Sequence, residues 1–204
     1  MNTQAHWDRV YATKSVTEVS WYQREPLVSL DLIERVAPVR SAAILDVGGG
    51  ASTLVDALLA RGYTNLSVLD IAAAALDAAR KRLGAPAGVV TWRAADVLHH
   101  PFAPQSVDVW HDRAVFHFLT DAAERRAYVA QGTAAVRPGG HIIIATFAAD
   151  GPTQCSGLDV CRYSPDTLCA EFGAGFDLVA QAFEEHITPS GGAQRFQYSV
   201  LALR

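Results

Sequence analysis

Three consecutive glycines, at positions 48–50, follow an apolar run that contains an acidic residue, Asp46. Glycine has no side chain, so a turn of this kind lets a ligand approach the backbone closely. A second apolar run, residues 66–69, also ends in an acid, Asp70. This order predicts a strand, a tight turn and a helix that bind a nucleoside-containing cofactor, with Asp70 on the ribose hydroxyls.

The spacing of the glycines separates the cofactor classes. A dinucleotide site needs the order G-x-G-x-x-G, because the pyrophosphate lies on a helix N-terminus and the third glycine allows close packing. Counted from Gly48, the third position is Thr53, and no such pattern begins at Gly49 or Gly50. The sequence therefore argues against a nicotinamide or flavin dinucleotide.

Strand and helix patterns alternate from Ser41 onward. The apolar runs predict five strands, at residues 43–47, 66–69, 89–93, 107–111 and 141–147. Helices are expected at about 52–61, at about 72–83, and from Asp121, which has the spacing of a capping box with Glu124. Ser164-Pro165 is typical of another helix start.

The last part of the chain predicts a hairpin. Two extended segments, 176–187 and 195–203, are joined by a loop rich in glycine and proline. The predicted fold class is α/β: a three-layer sandwich around a doubly wound, mostly parallel seven-stranded sheet with an antiparallel last strand. Residues 1–40 are expected to form an N-terminal helical extension or lid, and residues 41–204 the main domain.

The chain from about Ser41 resembles the class I S-adenosylmethionine-dependent methyltransferases. Their first motif, acid-x-Gly-x-Gly-x-Gly, matches at Asp46, Gly48 and Gly50, with Ser52 in place of the last glycine. Further matches are the fourth-strand segment, the turn before the fifth strand and the terminal hairpin, at 108–111, 137–140 and 176–203. The resemblance implies that S-adenosylmethionine is the cofactor.

The resemblance also implies which residues bind the cofactor. The glycine turn would lie against the methionine part, Asp70 against the ribose, and Asp96 against the adenine. Asp70 and Asp96 have an alternative as helix caps, and Asp46 is expected either to contact the cofactor or to bond backbone amides behind the turn. The full predicted set is Asp46, Gly48, Gly49, Gly50, Asp70, Ile71, Asp96, Val97, Trp21 and Tyr22.

Candidate catalytic residues follow the fourth strand, where a doubly wound sheet faces its ligand crevice. His111 and His117 could serve as bases near neutral pH, or could pack against the cofactor or cap a helix. Asp112 is predicted to make a polar contact to the substrate, and Arg113 to contact substrate or form a local ion pair. Methyl transfer is an in-line displacement, so an enzyme contributes mainly alignment, and only some acceptors need a base.

Aromatic residues precede the first predicted strand: Trp7, Tyr11, Trp21 and Tyr22. They are expected to fold over the cofactor as a lid and to contact the sulfonium by cation–π attraction. The alternative is an amphipathic segment that seals the edge of the core.

The loop 148–163, after the fifth strand, is long enough to shape an acceptor pocket. Cys155 and Arg162 are its predicted substrate contacts, and an ordinary surface loop is the alternative. The three cysteines, Cys155, Cys161 and Cys169, lack a CxxC spacing, so neither a disulfide framework nor a metal site is predicted.

The composition limits the partners. A formal charge of −4 argues against non-specific nucleic-acid binding, which depends on basic patches. No apolar stretch reaches membrane-spanning length and residues 1–10 lack a signal region, so a cytoplasmic location is expected. The sequence does not predict an oligomeric state.

The prediction is a methyltransferase with a small-molecule acceptor, since the chain carries no large insertion for gripping a macromolecule. A protein lysine methyltransferase is the main alternative, because Trp7, Asp8, Tyr11 and the Asp112-Arg113 segment also resemble such enzymes. A non-catalytic cofactor-binding protein is a third hypothesis.

Overall fold

Seven strands form one sheet in the computed structural model, which describes residues 4–13 and 15–204. Five strands come first, β1 Ala43–Val47, β2 Asn65–Asp70, β3 Val90–Ala94, β4 Val107–Arg113 and β5 Val136–Phe147. A small separate hairpin follows, β6 Gln154–Cys155 and β7 Leu158–Asp159, and then β8 Phe176–Ile187 and β9 Ala193–Leu203. The α-helices are α1 Gln4–Thr13, α2 Leu27–Val36, α3 Leu54–Ala60, α4 Ala73–Leu83, α5 Ala122–Ala135 and α6 Pro165–Phe172.

The strand order is β3-β2-β1-β4-β5-β9-β8. Strands β1 to β5 pair in parallel, and β9 pairs antiparallel with both β5 and β8. This confirms the predicted doubly wound sheet with a reversed last strand. The order changes direction between β1 and β4, and ligands of such sheets bind outside the carboxyl ends of the strands at that point.

Helices cover both faces of the sheet because its central strands are apolar on both sides. All five residues of β1 are buried, and side chains alternate between faces along a strand. Ile44 packs in one core with residues of α2, α3 and α4, whereas Leu45 packs in a second core with residues of α5 and α6. Helix α2, expected as part of the extension, thus shares a core with β1; the boundary between residues 1–40 and 41–204 stays a prediction.

The sequence patterns predicted most ends of the helices and strands to within a few residues of those in the structure. Ser164 and Thr167 form a capping box at the start of α6, and the Asp121 carboxylate accepts two backbone N–H groups at the start of α5. Two expectations were wrong in extent: β5 begins at Val136, five residues before the prediction, and the loop 148–163 contains the β6–β7 hairpin. Of the helices in the described part of the chain, none is long and apolar enough to cross a membrane.

Candidate active site

A cavity of about 250 Å³ lies at the carboxyl ends of β1, β2 and β4. Its wall includes the glycine turn after β1, the end of β2, the loop 95–99 after β3, and the segment after β4. Helix α1 and the segment that follows it supply the opposite side through Trp7, Tyr11 and Trp21. The cavity is therefore at the crossover point where the topology places a ligand.

The three glycines have different surroundings. Gly48 lies in the cavity wall with a φ of +64°, and a Cβ there would come within 2.0 Å of Val115 Cγ2. A Cβ on Gly49 would be 2.4 Å from Asp46 Oδ2, so Gly49 packs down onto the sheet. A Cβ on Gly50 would crowd the Asp70 carboxylate. Gly48 alone of the three borders the large cavity, while the other two glycines allow the turn to pack closely.

Asp46 lies behind this turn and is paired with a histidine. Its Oδ1 is 2.7 Å from Nδ1 of His111, and Nε2 of His111 is 2.9 Å from the Ser29 hydroxyl. All three side chains are buried and border a second cavity of about 50 Å³ on the far side of the turn. The prediction of His111 as a base is corrected here, because both ring nitrogens are engaged and the ring does not line the large cavity.

Asp70, at the end of β2, lines the large cavity and also holds the start of α4. Its Oδ1 accepts the backbone N–H of Ala72 at 2.8 Å, as the capping alternative predicts, and its ligand-binding role stays a prediction. Burial raises the pKa of Asp70 to about 7. Ile71 beside it is in the cavity wall. The carboxylate is thus placed to meet a ligand hydroxyl.

The loop after β3 brings Asp96 and Val97 into the wall. Asp96 accepts the backbone N–H of Leu98 at 2.9 Å, and its second oxygen lies 3.1 Å from Nδ1 of His99. Val97 is buried and supplies apolar surface. Both predicted residues are therefore in the cavity wall, and Asp96 also fixes the shape of its own loop.

Asp112 and His117 do not line either cavity, which corrects their prediction as catalytic residues. Asp112 is fully buried and accepts the N–H groups of Val115 and Phe116 and the hydroxyl of Tyr128. Burial raises the pKa of Asp112 to about 6. It closes the 3₁₀ turn Phe116–Phe118 from inside the fold.

His117 is enclosed in that same turn. Its ring lies 4.5 Å from the Phe118 ring and 4.9 Å from the Phe147 ring, measured between centroids. Nδ1 faces the backbone N–H of Phe147 at 3.4 Å, and Nε2 has no hydrogen-bond partner among the described residues. Burial lowers the pKa of His117 to about 3, so the ring stays neutral at neutral pH.

Arg113, at the end of β4, lines both cavities and is already paired. Its guanidinium donates to Glu184 at 3.2 Å, to the Tyr198 hydroxyl at 3.0 Å and to the Trp21 carbonyl at 3.2 Å. It also stacks over Phe196. The local ion pair that the sequence offered as an alternative is present, and it fastens the N-terminal segment to the sheet.

The aromatic residues of the N-terminal segment separate into two groups. Trp7 packs edge-on against Trp21 and Phe118, with centroid distances of 5.7 and 5.1 Å, and Tyr11 packs against Trp21. These four rings border the large cavity. Tyr22 does not border the large cavity. It lines the small cavity on the far side of the glycine turn, away from the place where its contact with the cofactor was predicted.

The two loop residues predicted as substrate contacts also differ. Cys155 is buried and lines the large cavity, and burial raises the pKa of its thiol to about 11, so the thiol is neutral. Arg162 is exposed, donates to the Gly151 carbonyl and is absent from the wall of both cavities, which corrects that prediction. Within the described ranges, no group of three or more His, Cys, Asp or Glu side chains is arranged to hold a metal ion.

The sequence reading missed Glu124 as a wall residue. The capping-box spacing had assigned its carboxylate to the backbone of Asp121, but only the Asp121 half of that arrangement is formed. The Glu124 side chain borders the cavity instead. Leu98, His99, Val115, Phe118 and Leu119 also line it, and their proximity to predicted site residues was the only signal available.

Comparison with known proteins agrees with this geometry. Residues 44–140 match the family model of a methyltransferase domain, which spans β1 through the start of β5. This similarity to a methyltransferase domain covers just under half of the chain. The matched range contains the glycine turn and both cavity acids, Asp70 and Asp96.

The names of the similar proteins indicate different methyl acceptors. O-methyltransferase cnsE of Penicillium expansum is 29% identical over 170 residues, which are 76% of this chain and 60% of that protein. EEF1A lysine methyltransferase 2 of Danio rerio is 25% identical over 196 residues, which are 89% of this chain and 78% of that protein. The first match thus spans less than two thirds of its relative.

A solved structure supports the fold over the whole length. The N-methyltransferase NodS from Bradyrhizobium japonicum, in complex with S-adenosyl-L-homocysteine, has a TM-score of 0.73 at 16% identity. The similarity covers 100% of this chain and 99% of that chain.

The cavity residues fit S-adenosylmethionine. Position 48 has no room for a Cβ, which leaves backbone in the wall where an amino-acid tail would lie. Asp70 offers a buried carboxylate for hydroxyl groups, and Val97 with Leu119 offers apolar surface for a base. The carboxylates and aromatic rings also suit a cofactor that carries a sulfonium.

Proposed function

We propose that this protein transfers the methyl group of S-adenosylmethionine to a small-molecule acceptor by in-line displacement. The observation that carries the proposal is the single cavity wall that joins the glycine turn, Asp70 and Asp96 to a set of aromatic rings. A cytoplasmic location, expected from the sequence, belongs to the same proposal.

Different residues of the cavity wall would contact different parts of the cofactor. Gly48 would present backbone to the methionine part, Asp70 would accept from the ribose hydroxyls, and Asp96 with Val97 would hold the adenine. When bound, the cofactor supplies an electrophilic methyl group on a sulfonium. The protein orients that group and excludes water, and alignment of this kind accounts for much of the acceleration in a displacement.

The acceptor would lie against Trp7, Trp21, Phe118 and Cys155 of the cavity wall. Of these four residues, only Trp21 also belongs to the predicted cofactor set. In this part of the wall the Cys155 thiol is neutral, and the nearby Arg113 is a paired cation. Neither group can remove a proton. We therefore infer that the acceptor is either already a nucleophile at neutral pH, such as a thiolate, an unprotonated amine or an ionised oxygen acid, or is deprotonated by His99 or Glu124 of the same cavity wall.

A protein lysine is the second candidate acceptor. Similarity to EEF1A lysine methyltransferase 2 favours it, since that match covers 89% of this chain. The position of α1 favours a small molecule, because Trp7 and Tyr11 of this helix border a cavity of only about 250 Å³. The name of the first relative, an O-methyltransferase, shows that oxygen acceptors belong in the test.

Transfer of a labelled methyl group tests the proposal. The protein is incubated with cell lysate and S-[methyl-³H]adenosylmethionine, and the label is followed separately in the small-molecule and protein fractions. Label in the small-molecule fraction is expected. Label confined to protein, and recovered as methyl-lysine after acid hydrolysis of that protein, would replace the small-molecule proposal with the second candidate.

Calorimetry tests the cofactor independently. Titration with S-adenosylhomocysteine should show micromolar or tighter binding, and titration with NAD should show none. Absence of S-adenosylhomocysteine binding would contradict the assignment of the cavity whatever the acceptor.

A further inference from the structure

Strand β8 forms one outer edge of the seven-stranded sheet. It pairs with β9 on one side, and over residues 177–187 no backbone group bonds to a described residue outside these two strands. An edge strand presents a row of unpaired N–H and C=O groups, which can pair with a strand of another chain. With 12 residues, β8 is about twice as long as a common strand, so the open edge is extensive.

The two outer edges of the sheet differ in how far they are protected. The opposite edge strand, β3, has 5 residues, and short edge strands are one way to prevent edge pairing. Strand β8 contains neither proline nor lysine, the residues that protect many edges. It has a bulge at Val179, beyond which its pairing with β9 is regular from Ala180 to Ile187. Most of this edge is therefore open to pairing.

Large apolar side chains are exposed on β8 at intervals of four residues. Val179, Phe183 and Ile187 are 52%, 51% and 57% exposed. They are half of the exposed large hydrophobic residues in the described part of the chain, and the other half lie in separate segments. Single exposed apolar residues need no explanation, but three along one sheet edge indicate a surface that another protein chain covers.

The opposite face of β8 is held by contacts within the chain. Glu184 accepts from Arg113 and Gln23, and His186 Nε2 donates to the Ser20 carbonyl at 2.7 Å. These contacts fix the strand before any partner arrives. Because a preformed surface loses little conformational freedom on association, more of the contact energy is available for binding.

The order of the residues in β8 is symmetric about Phe183. When two copies of the strand run antiparallel with Phe183 facing its equivalent, residues equally far from position 183 on either side face each other. Val179 then faces Ile187, and Gln181 faces Glu185. Apolar side chains meet apolar side chains and no two like charges are opposite, which are the conditions that stabilise an antiparallel pair.

Neighbouring registers lack this match. A shift of the centre by one residue in either direction would set Phe183 opposite a polar side chain, Gln181 or Glu185. A shift to Gln181 would set Asp177 opposite Glu185, and a shift to Glu185 would set that acid opposite its own equivalent. Like charges that face each other across two strands are destabilising, so the pattern favours one register.

We propose that β8 is an interface for a second copy of this chain, which pairs with it antiparallel over residues 180–186. A two-fold axis at Phe183 relates the copies, and the two sheets join into one. The paired stretch ends at the bulge of each copy, because Val179 lies opposite Ile187 of the second copy and a bulge interrupts the ladder. The partner is a second copy rather than another protein because the pattern of β8 matches itself.

A charge swap at the two-fold axis tests the interface by sedimentation velocity. Wild type should change from monomer to dimer between about 1 and about 100 µM protein. Phe183→Lys and Phe183→Glu should each stay monomeric, because like charges then meet at the axis. An equimolar mixture of the two variants should recover a dimer, because opposite charges meet there. Val89→Lys, an exposed apolar position before β3 at the opposite edge, should dimerise like wild type.

A second pair of variants tests the register and keeps Phe183 in place. Gln181→Lys should tighten the dimer about fivefold, because the symmetric pair gains two contacts with Glu185. Gln181→Glu should weaken the dimer by a similar factor, because two acids then face each other. These variants change an exposed side chain only, so a folding defect in the Phe183 variants would not affect their result.

Three results would overturn the proposal. A wild-type monomer at every concentration would leave the edge to a strand of a different protein. A dimer that persists in Phe183→Lys would place the interface elsewhere on the molecule, and equal effects of Gln181→Lys and Gln181→Glu would contradict the register. These measurements need no cofactor, so a failure of the proposed function would leave their outcome unchanged.

Discussion

The acids at the ends of β2 and β3 and the polar residues at the end of β4 lie at the same edge of the sheet, but their side chains have different surroundings. Asp70 and Asp96 border the cavity, whereas Asp112 and His117 are buried within the fold. Both groups stand at carboxyl ends of parallel strands, where topology predicts ligand contacts. The carboxyl end of a parallel strand therefore brings a residue near the site. The direction of its side chain depends on which backbone groups of the following turn must be hydrogen-bonded.

The direction of the β4 residues has a local cause. Side chains alternate along the strand, so His111 points toward α2 and meets Ser29, while Asp112 points toward α5 and meets Tyr128. The chain then turns sharply at Ala114, which has a φ of +71°. The Asp112 carboxylate accepts the N–H groups that the turn leaves unpaired, and it is therefore held inside.

The largest expected effect comes from removing a buried polar side chain at the end of β4. Asp112→Ala removes the acceptor for two backbone N–H groups and the Tyr128 hydroxyl, all buried. Because each unsatisfied buried donor is costly, the free energy of unfolding should fall by about 3 kcal/mol or more. Urea denaturation measures it, with exposed Asp31→Ala as the control. Unchanged stability with lost turnover would restore Asp112 as a catalytic residue.

The next effect is on the cavity side. Asp70→Asn should weaken S-adenosylhomocysteine binding on the order of a hundredfold at pH 8, because charged hydrogen bonds to the ribose are lost. Calorimetry measures the affinity, and Asp77→Asn on the exposed side of α4 serves as the control. If the variant binds as tightly as wild type, the ribose assignment is wrong.

Asp70 also predicts a pH dependence. Burial raises its pKa to about 7, and the ionised form is the better acceptor for hydroxyl groups. Affinity for S-adenosylhomocysteine should therefore be full above pH 8 and fall as the pH drops through 7, by at most about tenfold per pH unit. Asp70→Asn should show no such fall between pH 8 and pH 6, since it lacks the titrating group.

These two sides also mark what the sequence could predict. The succession of strands and helices along the chain, the terminal hairpin and the glycine turn depend on short-range patterns, and the sequence predicted them. The same patterns singled out Asp70 and Asp96, which border the cavity. The Asp112 contacts with Tyr128 and the His111 contact with Ser29, 82 residues away, depend on which helix covers which face of β4. For Glu124, the capping pattern predicted a bond to the Asp121 backbone that is absent from the structure, and the side chain borders the cavity instead.

A smaller effect sharpens the role of the histidine behind the glycine turn. Ser29→Ala removes the partner of His111 Nε2, and the free energy of unfolding should fall by about 1–2 kcal/mol, the cost of one buried unpaired group. Turnover should stay close to wild type, because the pair supports the turn from behind. A severe loss of kcat at preserved stability would show that His111 takes part in the chemistry; exposed Ser41→Ala is the matched control.

The smallest expected effect is that of His117 on the free energy of unfolding. The dependence of this effect on pH shows whether the histidine is buried and neutral. Its folded-state pKa of about 3 lies below the unfolded value of 6.5, so the unfolded chain binds the proton more readily between those values. The contribution of His117 to stability is complete above pH 6.5 and is lost as the pH falls toward 3, reaching about 1.4 kcal/mol at pH 5.5. His117→Phe should remove that loss.

The raised pKa of Asp112 acts in the opposite direction, because a carboxyl that binds its proton more readily when folded gains stability as the pH falls through 6. The difference between wild type and His117→Phe, measured in urea at pH 7.5 and 5.5, cancels that contribution and isolates the histidine. The variant should lose about 1.4 kcal/mol less than wild type between the two pH values, with turnover within about twofold at neutral pH. If instead turnover collapses and its acidic limb vanishes, His117 is the base, and the two groups of polar residues at this edge face the same ligand after all.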